Sequence, residues 1–184
     1  MTRETSWKLP LAIIAIVLLA SVGARADSTW YSPLTAYVRS IPPIKVYLER
    51  SNSTALAVRA HSTVSERDSQ LVNIPLSTHP GKITSVTVCY RIITSRPRST
   101  FISSLTLYSM TTPRPQITVL VDETDLWSTA DSCYTSRHVY RETVDVDGSL
   151  WLGLTTVFGD ANDVIVIGGI EITMDERSFP PAGR

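Results

Sequence analysis

The sequence predicts an all-β domain, an antiparallel two-sheet β-sandwich of jelly-roll or Greek-key type. Three observations carry this reading. Beyond an apolar amino-terminal leader, the chain is a succession of short runs in which Val, Ile and Leu alternate with polar residues, the period of half-buried strands. Turn-forming groups such as Ser51-Asn52-Ser53, Arg96-Pro97-Arg98-Ser99 and Asp147-Gly148 divide the runs. Ser and Thr supply 40 of residues 27–184 beside plentiful Val and Ile, and helix-favouring Ala-Glu-Lys-Leu stretches are missing, as suits strands with one wet face.

The leader spans residues 1–26. Arg3 and Lys8 give it positive charge, Leu11 to Ala20 is unbroken apolar sequence, and Ala24-Arg25-Ala26 sets small residues where signal peptidase cuts. A membrane anchor is the competing reading, but a span needs roughly 20 apolar residues, and Ser21, Gly23 and Arg25 interrupt the run well short of that. The expectation is therefore export to a secreted, extracellular or periplasmic location, with no transmembrane segment in the mature chain. Residues 27–43, with Trp30, Tyr31, Tyr37 and Pro42-Pro43, lack steady periodicity and read as an irregular lead-in.

The sandwich is expected over residues 44–174. Ile44 to Glu49 and Thr54 to Ala60 are period-two strands, and Leu71 to Leu76 is a third whose Pro75 suits an edge or a strand end. Ile83 to Thr94 is the clearest, with Val86, Val88, Tyr90 and Ile92 on one face and Thr87, Cys89, Arg91 and Ile93 on the other. If the Val face is the core face, Cys89 points outward, and its partner comes from a crossing loop or the lead-in unless a bulge changes the phase. Phe101 to Ser109 places Ile102 out of phase with Leu105 and Leu107, which implies a local kink. Ile117 to Val121 follows, then a long connection from Asp122 to Val144 with little periodicity, a length more often functional than a short turn.

After the hairpin signal at Asp147-Gly148, Leu150, Leu152, Leu154 and Thr156 alternate with Trp151, Gly153 and Thr155, so Trp151 leaves the core face. In Val164 to Met174, Val164, Val166, Ile170 and Ile172 share one register, and Ile165, Ile167, Glu171 and Thr173 the other. Both faces of its first half are apolar, which places this strand centrally or beneath a loop. Residues 175–184 read as a flexible tail. An immunoglobulin-type fold ranks second, because Trp127 lies between the two cysteines but in an irregular connection rather than a core strand.

Charge excludes some partners. Without the leader, 14 Lys and Arg face 16 Asp and Glu, which gives no electrostatic reason to expect nucleic acid or an anionic membrane. Two cysteines, Cys89 and Cys133, make an even count that in an exported chain reads first as one disulfide, with two buried free thiols as the alternative. Neither has a Cys or His at metal-ligand spacing. The strand sequence Ile83 to Tyr90, the run Phe101 to Leu105, the pairs Cys89-Tyr90 and Cys133-Tyr134, and the closing Asp163 to Ile170 resemble uncharacterised secreted bacterial β-sandwich proteins over residues 71–174. That resemblance implies export, a sandwich and pairing of Cys89 with Cys133, and supplies no activity to carry over.

Several chemistries remain to be weighed. His61, His79 and His138 lie among ordinary polar residues and no G-x-S-x-G elbow occurs, so nucleophilic hydrolysis lacks its local signature. Asp122, Glu123, Asp125, Asp145, Asp147, Asp160 and Asp163 offer carboxylate pairs of the kind glycoside hydrolysis requires, yet all sit in or beside turns, where Asp is common for local hydrogen bonding. No cofactor is expected; Asp145, Asp147, Asp160 and Asp163 have ligand types that suit calcium without matching a full helical calcium loop, and turn capping is the alternative. Asn52-Ser53-Thr54 is a glycosylation acceptor. The expectation is a non-catalytic secreted or cell-surface protein binding a glycan or a surface protein through Trp127, Trp151, Tyr134 and Asp125. The alternatives are a carboxylate-dependent glycan hydrolase and a structural envelope or assembly module.

Overall fold

The computed structural model describes residues 26–39, 46–60, 68–76, 82–110, 117–137 and 149–175. The leader, the Pro42-Pro43 pair, the three histidines, Asp145, Asp147-Gly148 and the tail beyond Asp175 lie outside the described residues. The strands are β1 (Ala26–Tyr31), β2 (Tyr37–Arg39), β3 (Val46–Arg50), β4 (Leu56–Ala60), β5 (Asp68–Leu76), β6 (Lys82–Ile93), β7 (Phe101–Met110), β8 (Ile117–Asp122), β9 (Ser132–Ser136), β10 (Ser149–Phe158) and β11 (Val164–Asp175). A 3-10 turn, Pro33–Thr35, separates β1 from β2.

Two antiparallel sheets result. In one the order is β3-β4-β11-β6-β9, with β1 pairing β11 beyond the end of β4; in the other it is β2-β5-β10-β7-β8. Omitting the outermost strands, β4-β11-β6-β9 faces β5-β10-β7-β8, and the chain changes sheet at every step from β4 to β11 except β7 to β8. That wrapping is the jelly roll the sequence predicts. Each sheet gives its inner face to a single core: Val86, Val88, Leu152, Leu154, Ile165, Ile167, Ile170 and Ile172 are fully buried. Pro75 lies past the short β2 and one residue from the end of β5, the strand-end position expected for it.

Two bulges set side-chain phase. Thr155 pairs with Ser104 but Thr156 with Ile102, so Ser103 is the extra residue; this is the kink read from the sequence, and it keeps Ile102 in the core with Leu105 and Leu107. In β11, Ile167 pairs with Tyr90 and Gly169 with Cys89, leaving Gly168 unpaired. The sequence grouped Val166 with Ile170 and Ile172; the bulge at Gly168 instead puts Ile165 and Ile167 with them on the core face and turns Val166 outward, half-buried. β11 is central, flanked by β6 on one side and by β4 and β1 on the other.

Two expected irregular segments contain strands. The lead-in carries β1 and β2, which dock by backbone bonds to β11 and β5 and so need no apolar alternation. The long connection carries β9, whose inward residues are the polar Tyr134 and Ser136, so its period is invisible in hydrophobicity. Cys89 does point outward, but its partner comes from neither a crossing loop nor the lead-in. It is Cys133 on β9, directly opposite in the same sheet, with a Cα separation of 3.9 Å.

The end of the sandwich near the β10–β11 turn is pinned by a buried network. Thr100 Oγ1 donates to the Asp163 carboxylate and accepts the Gly159 N–H at 2.9 Å. A Cβ on Gly159 would fall 2.4 Å from Ser99 Cβ and 3.0 Å from the Ser99 carbonyl oxygen, so only glycine fits. Gly159→Ala is expected to cost about 2 kcal/mol, read as a lowered midpoint in urea with an unchanged slope.

Candidate functional site

The outer face of the first sheet holds a depression of about 440 Å³. Its floor is Val166 and Gly168 of β11, where the bulge brings a residue without a side chain to the surface. One wall is the disulfide Cys89–Cys133, which bridges β6 to the edge strand β9. Arg91 and Asp131 continue that wall and form an ion pair at 3.4 Å, with side chains 44% and 88% exposed. So exposed a pair contributes little to stability and keeps its hydrogen-bonding groups available to a ligand.

The opposite wall is the β3–β4 turn, Ser51 to Ala55. Asn52 organises it: its Oδ1 accepts the N–H groups of Thr54 and Ala55 at 2.9 and 2.7 Å and the Thr54 hydroxyl at 3.2 Å. This is an Asx-turn, the local use for which Asn suits loops. Arg50 donates to the carbonyls of Asn52 and Ser53 from outside the turn. Beyond Gly168 the Trp30 ring lies against Gly169, where an added Cβ would meet it at 3.3 Å. Trp30 is 57% exposed, the most exposed of the large apolar side chains among the described residues. The depression thus offers an apolar floor with a cation, a carboxylate and an amide around the rim, and the Trp30 indole lies outside its lining, against Gly169.

The four residues expected to bind ligand do not share one surface: Asp125 and Trp127 lie in the connection after β8, Tyr134 on β9 and Trp151 on β10. Trp127 is exposed at the end of the sandwich, where Leu126 bonds Ile102 of β7 and Ser128 bonds Ile92 of β6. Arg98, in the left-handed region at φ 64°, holds its guanidinium 4.5 Å from the Trp127 ring and occupies one face of it. Asp125 is exposed in the same connection. Trp151 stands on the outer face of the other sheet.

Tyr134 points inward and donates to Asp122 Oδ2 at 2.8 Å, tying β9 of one sheet to β8 of the other. Asp122 is 3% exposed, and its Oδ1 accepts the Thr124 N–H at 3.0 Å. Burial by itself would raise its pKa, but hydrogen bonds from Ser136, Thr124 and Tyr134 outweigh that and hold it at about 2. Burial first, and then the adjacent carboxylate, push the Tyr134 phenol up. Asp122 is thus committed to holding the two sheets together.

Of the four calcium candidates, Asp145 and Asp147 lie outside the described residues. Asp160 Oδ1 accepts from the backbone and side-chain nitrogens of Asn162, and Asp163 is bound to Thr100, both within the β10–β11 corner. Among the described residues no group of three or more His, Cys, Asp or Glu converges on one point. Arg91, Asp131 and Asn52 escaped the sequence reading of the site, and Trp30 was one of the rings available to it but not one of the four residues chosen. The signal present was Gly168-Gly169 inside a strand, a mark of a bulge or a close approach.

No protein-family model and no curated protein matches the chain. Among solved structures it is similar to a family 29 carbohydrate-binding module, a mutant form, at 11% identity and a TM-score of 0.45, covering 86% of this chain and 100% of that one. A second mutant of such a module, complexed with cellulohexaose, gives 11% identity and 0.44 over 82% and 93%. A third structure, of carbohydrate-binding modules from the β-sandwich superfamily, gives 12% and 0.44 over 83% of this chain and 58% of that one. At such identities and scores neither family nor ligand is carried over.

Proposed function

We propose that this chain is an exported, non-catalytic β-sandwich that binds carbohydrate in the depression between the β3–β4 turn and the Cys89–Cys133 bridge. The observation that supports it is an apolar floor at Val166 and Gly168 ringed by the planar polar groups of Arg91, Asp131 and Asn52, with the exposed Trp30 indole against the neighbouring Gly169. Sugars present an apolar face to a ring and hydroxyls to such groups, and the volume lies within the roughly 300–1,000 Å³ of ligand sites. Binding is favoured over hydrolysis because, among the described residues, Asp131 is the one carboxylate lining the depression, whereas glycosidases use two flanking the scissile bond. Cleavage after Ala26 would remove only the first residue of β1, so export processing and the docked strand are compatible.

The test is calorimetric titration of residues 27–184 with cellohexaose, mannohexaose and xylohexaose. At least one should bind without release of reducing ends. Arg91→Ala should weaken that binding by roughly tenfold to a hundredfold, the loss of a charged hydrogen bond, while leaving thermal unfolding within about 1 °C, as expected for an exposed pair. Cleavage of any hexasaccharide, or unaltered affinity in Arg91→Ala, would overturn the reading.

A further inference from the structure

Arg98, in the β6–β7 turn at one end of the sandwich, is the one residue among those described whose backbone lies in the left-handed region, at φ 64°. It is the third residue of the turn Arg96-Pro97-Arg98-Ser99, in which the Ser99 N–H bonds the Arg96 carbonyl at 3.2 Å, the φ pattern of a type II turn. That position favours glycine, and any other side chain there strains the backbone. An arginine stands in it all the same, so its side chain is kept against a backbone preference.

The turn and the ring beside it are both firmly tethered. The Arg96 carbonyl also accepts the Ser99 hydroxyl at 2.7 Å and the Thr94 hydroxyl at 3.1 Å, and Ser99 lies against Gly159. Trp127 sits between two backbone anchors, one to each sheet: Leu126 exchanges bonds with Ile102 of β7 at 2.8 and 3.0 Å, and the Ser128 carbonyl accepts the Ile92 N–H of β6 at 2.9 Å. The Arg98 guanidinium, stacked 4.5 Å from the Trp127 ring, keeps its in-plane N–H fork for a planar acid. Among the described residues that fork has no acceptor: Glu123 and Asp125, exposed on the same connection, and Asp160 in the β10–β11 turn make no ion pair with it. A cation held in place and left without an anion is a prepared binding group.

We propose that Arg98 and Trp127 form a separate binding site for a carboxylate borne on a sugar ring, the uronate of an acidic polysaccharide. The carboxylate takes the guanidinium fork, and the indole, 46% exposed, gives an apolar border to the ring that carries it. An acidic peptide holds its carboxylates on flexible stems and sets nothing against the indole. Neither Arg98 nor Trp127 lines the depression, and the site does not rest on the function proposed there.

The experiment titrates the chain with hexagalacturonate, by calorimetry and by NMR, at low and at physiological ionic strength. Wild type should bind it, more weakly at the higher salt, with shifts of the Trp127 indole and the Arg98 amide. Arg98→Lys, which keeps the charge and loses the fork, should weaken binding about tenfold. Arg98→Gly should weaken it about a hundredfold or more, yet keep its thermal midpoint within about 3 °C of wild type, because relief of the left-handed backbone offsets the lost stack. A larger fall in that midpoint would assign the arginine to joining the two loops and overturn the proposal. Affinity unaltered by Arg98→Gly, shifts at Val166 and Gly168 without Trp127, or absence of binding would also overturn it. Tighter binding of hexaglutamate than of hexagalacturonate would give the site to an acidic peptide and overturn the sugar as its ligand.

Discussion

The double variant Cys89→Ala/Cys133→Ala is expected to lose about 4 kcal/mol of stability, the largest effect of any change outside the core. The bridge closes a loop with a sequence separation of 44, and the chain-entropy model assigns a loop of that size about 4 kcal/mol. Nearly all of that acts on the unfolded chain, so the folded domain should persist. β9 keeps its ladder to β6, the Thr87–Thr135 hydroxyl bond at 2.9 Å, and the Tyr134–Asp122 bond. Urea denaturation of the double variant and of wild type in dithiothreitol should give the same shifted midpoint. Loss of cooperative unfolding would show instead that β9 and the depression's wall depend on the bridge for their native structure.

Asp122→Ala should cost about 3 kcal/mol at neutral pH, because it strands the donors of the fully buried Ser136, of the partly buried Tyr134 and of Thr124. The carboxylate also makes a signed prediction for acid. Its folded pKa of about 2 lies below its ordinary 3.8, so the folded state favours the ionised form. The resulting stability is fully present above pH 4 and disappears as pH falls from about 4 to about 2, a loss of about 2 kcal/mol. Asp122→Asn should flatten that part of the stability-against-pH curve. An unchanged acid limb in Asp122→Asn would mean that other carboxylates govern it.

The core was legible because it obeys one rule. Val86, Val88, Leu150, Leu152 and Leu154 alternate without interruption, and all are buried. What escaped the sequence depends on tertiary partners. The phase change at Gly168 becomes visible only when β11 is laid against β6. β9 is hidden because its inward side chains answer a buried carboxylate rather than an oily layer. Trp151 was placed correctly as outward by alternation alone, and its edge-on contact with Tyr37 is the work of β2, a three-residue strand too short to carry a periodic signal. The depression joins Asn52, Cys89, Asp131 and Val166 from four separate stretches of chain, each ordinary in isolation.

The most direct measurement is an amide-resolved NMR titration of the ¹⁵N-labelled domain with whichever hexasaccharide binds. Resonances of Cys89 to Arg91, Ser132, Cys133, Val166 and Gly168 should move together and saturate, accompanied by the Trp30 indole. Shifts confined to the opposite face around Gly153 and Thr106, or none up to millimolar sugar, would contradict carbohydrate binding in the depression.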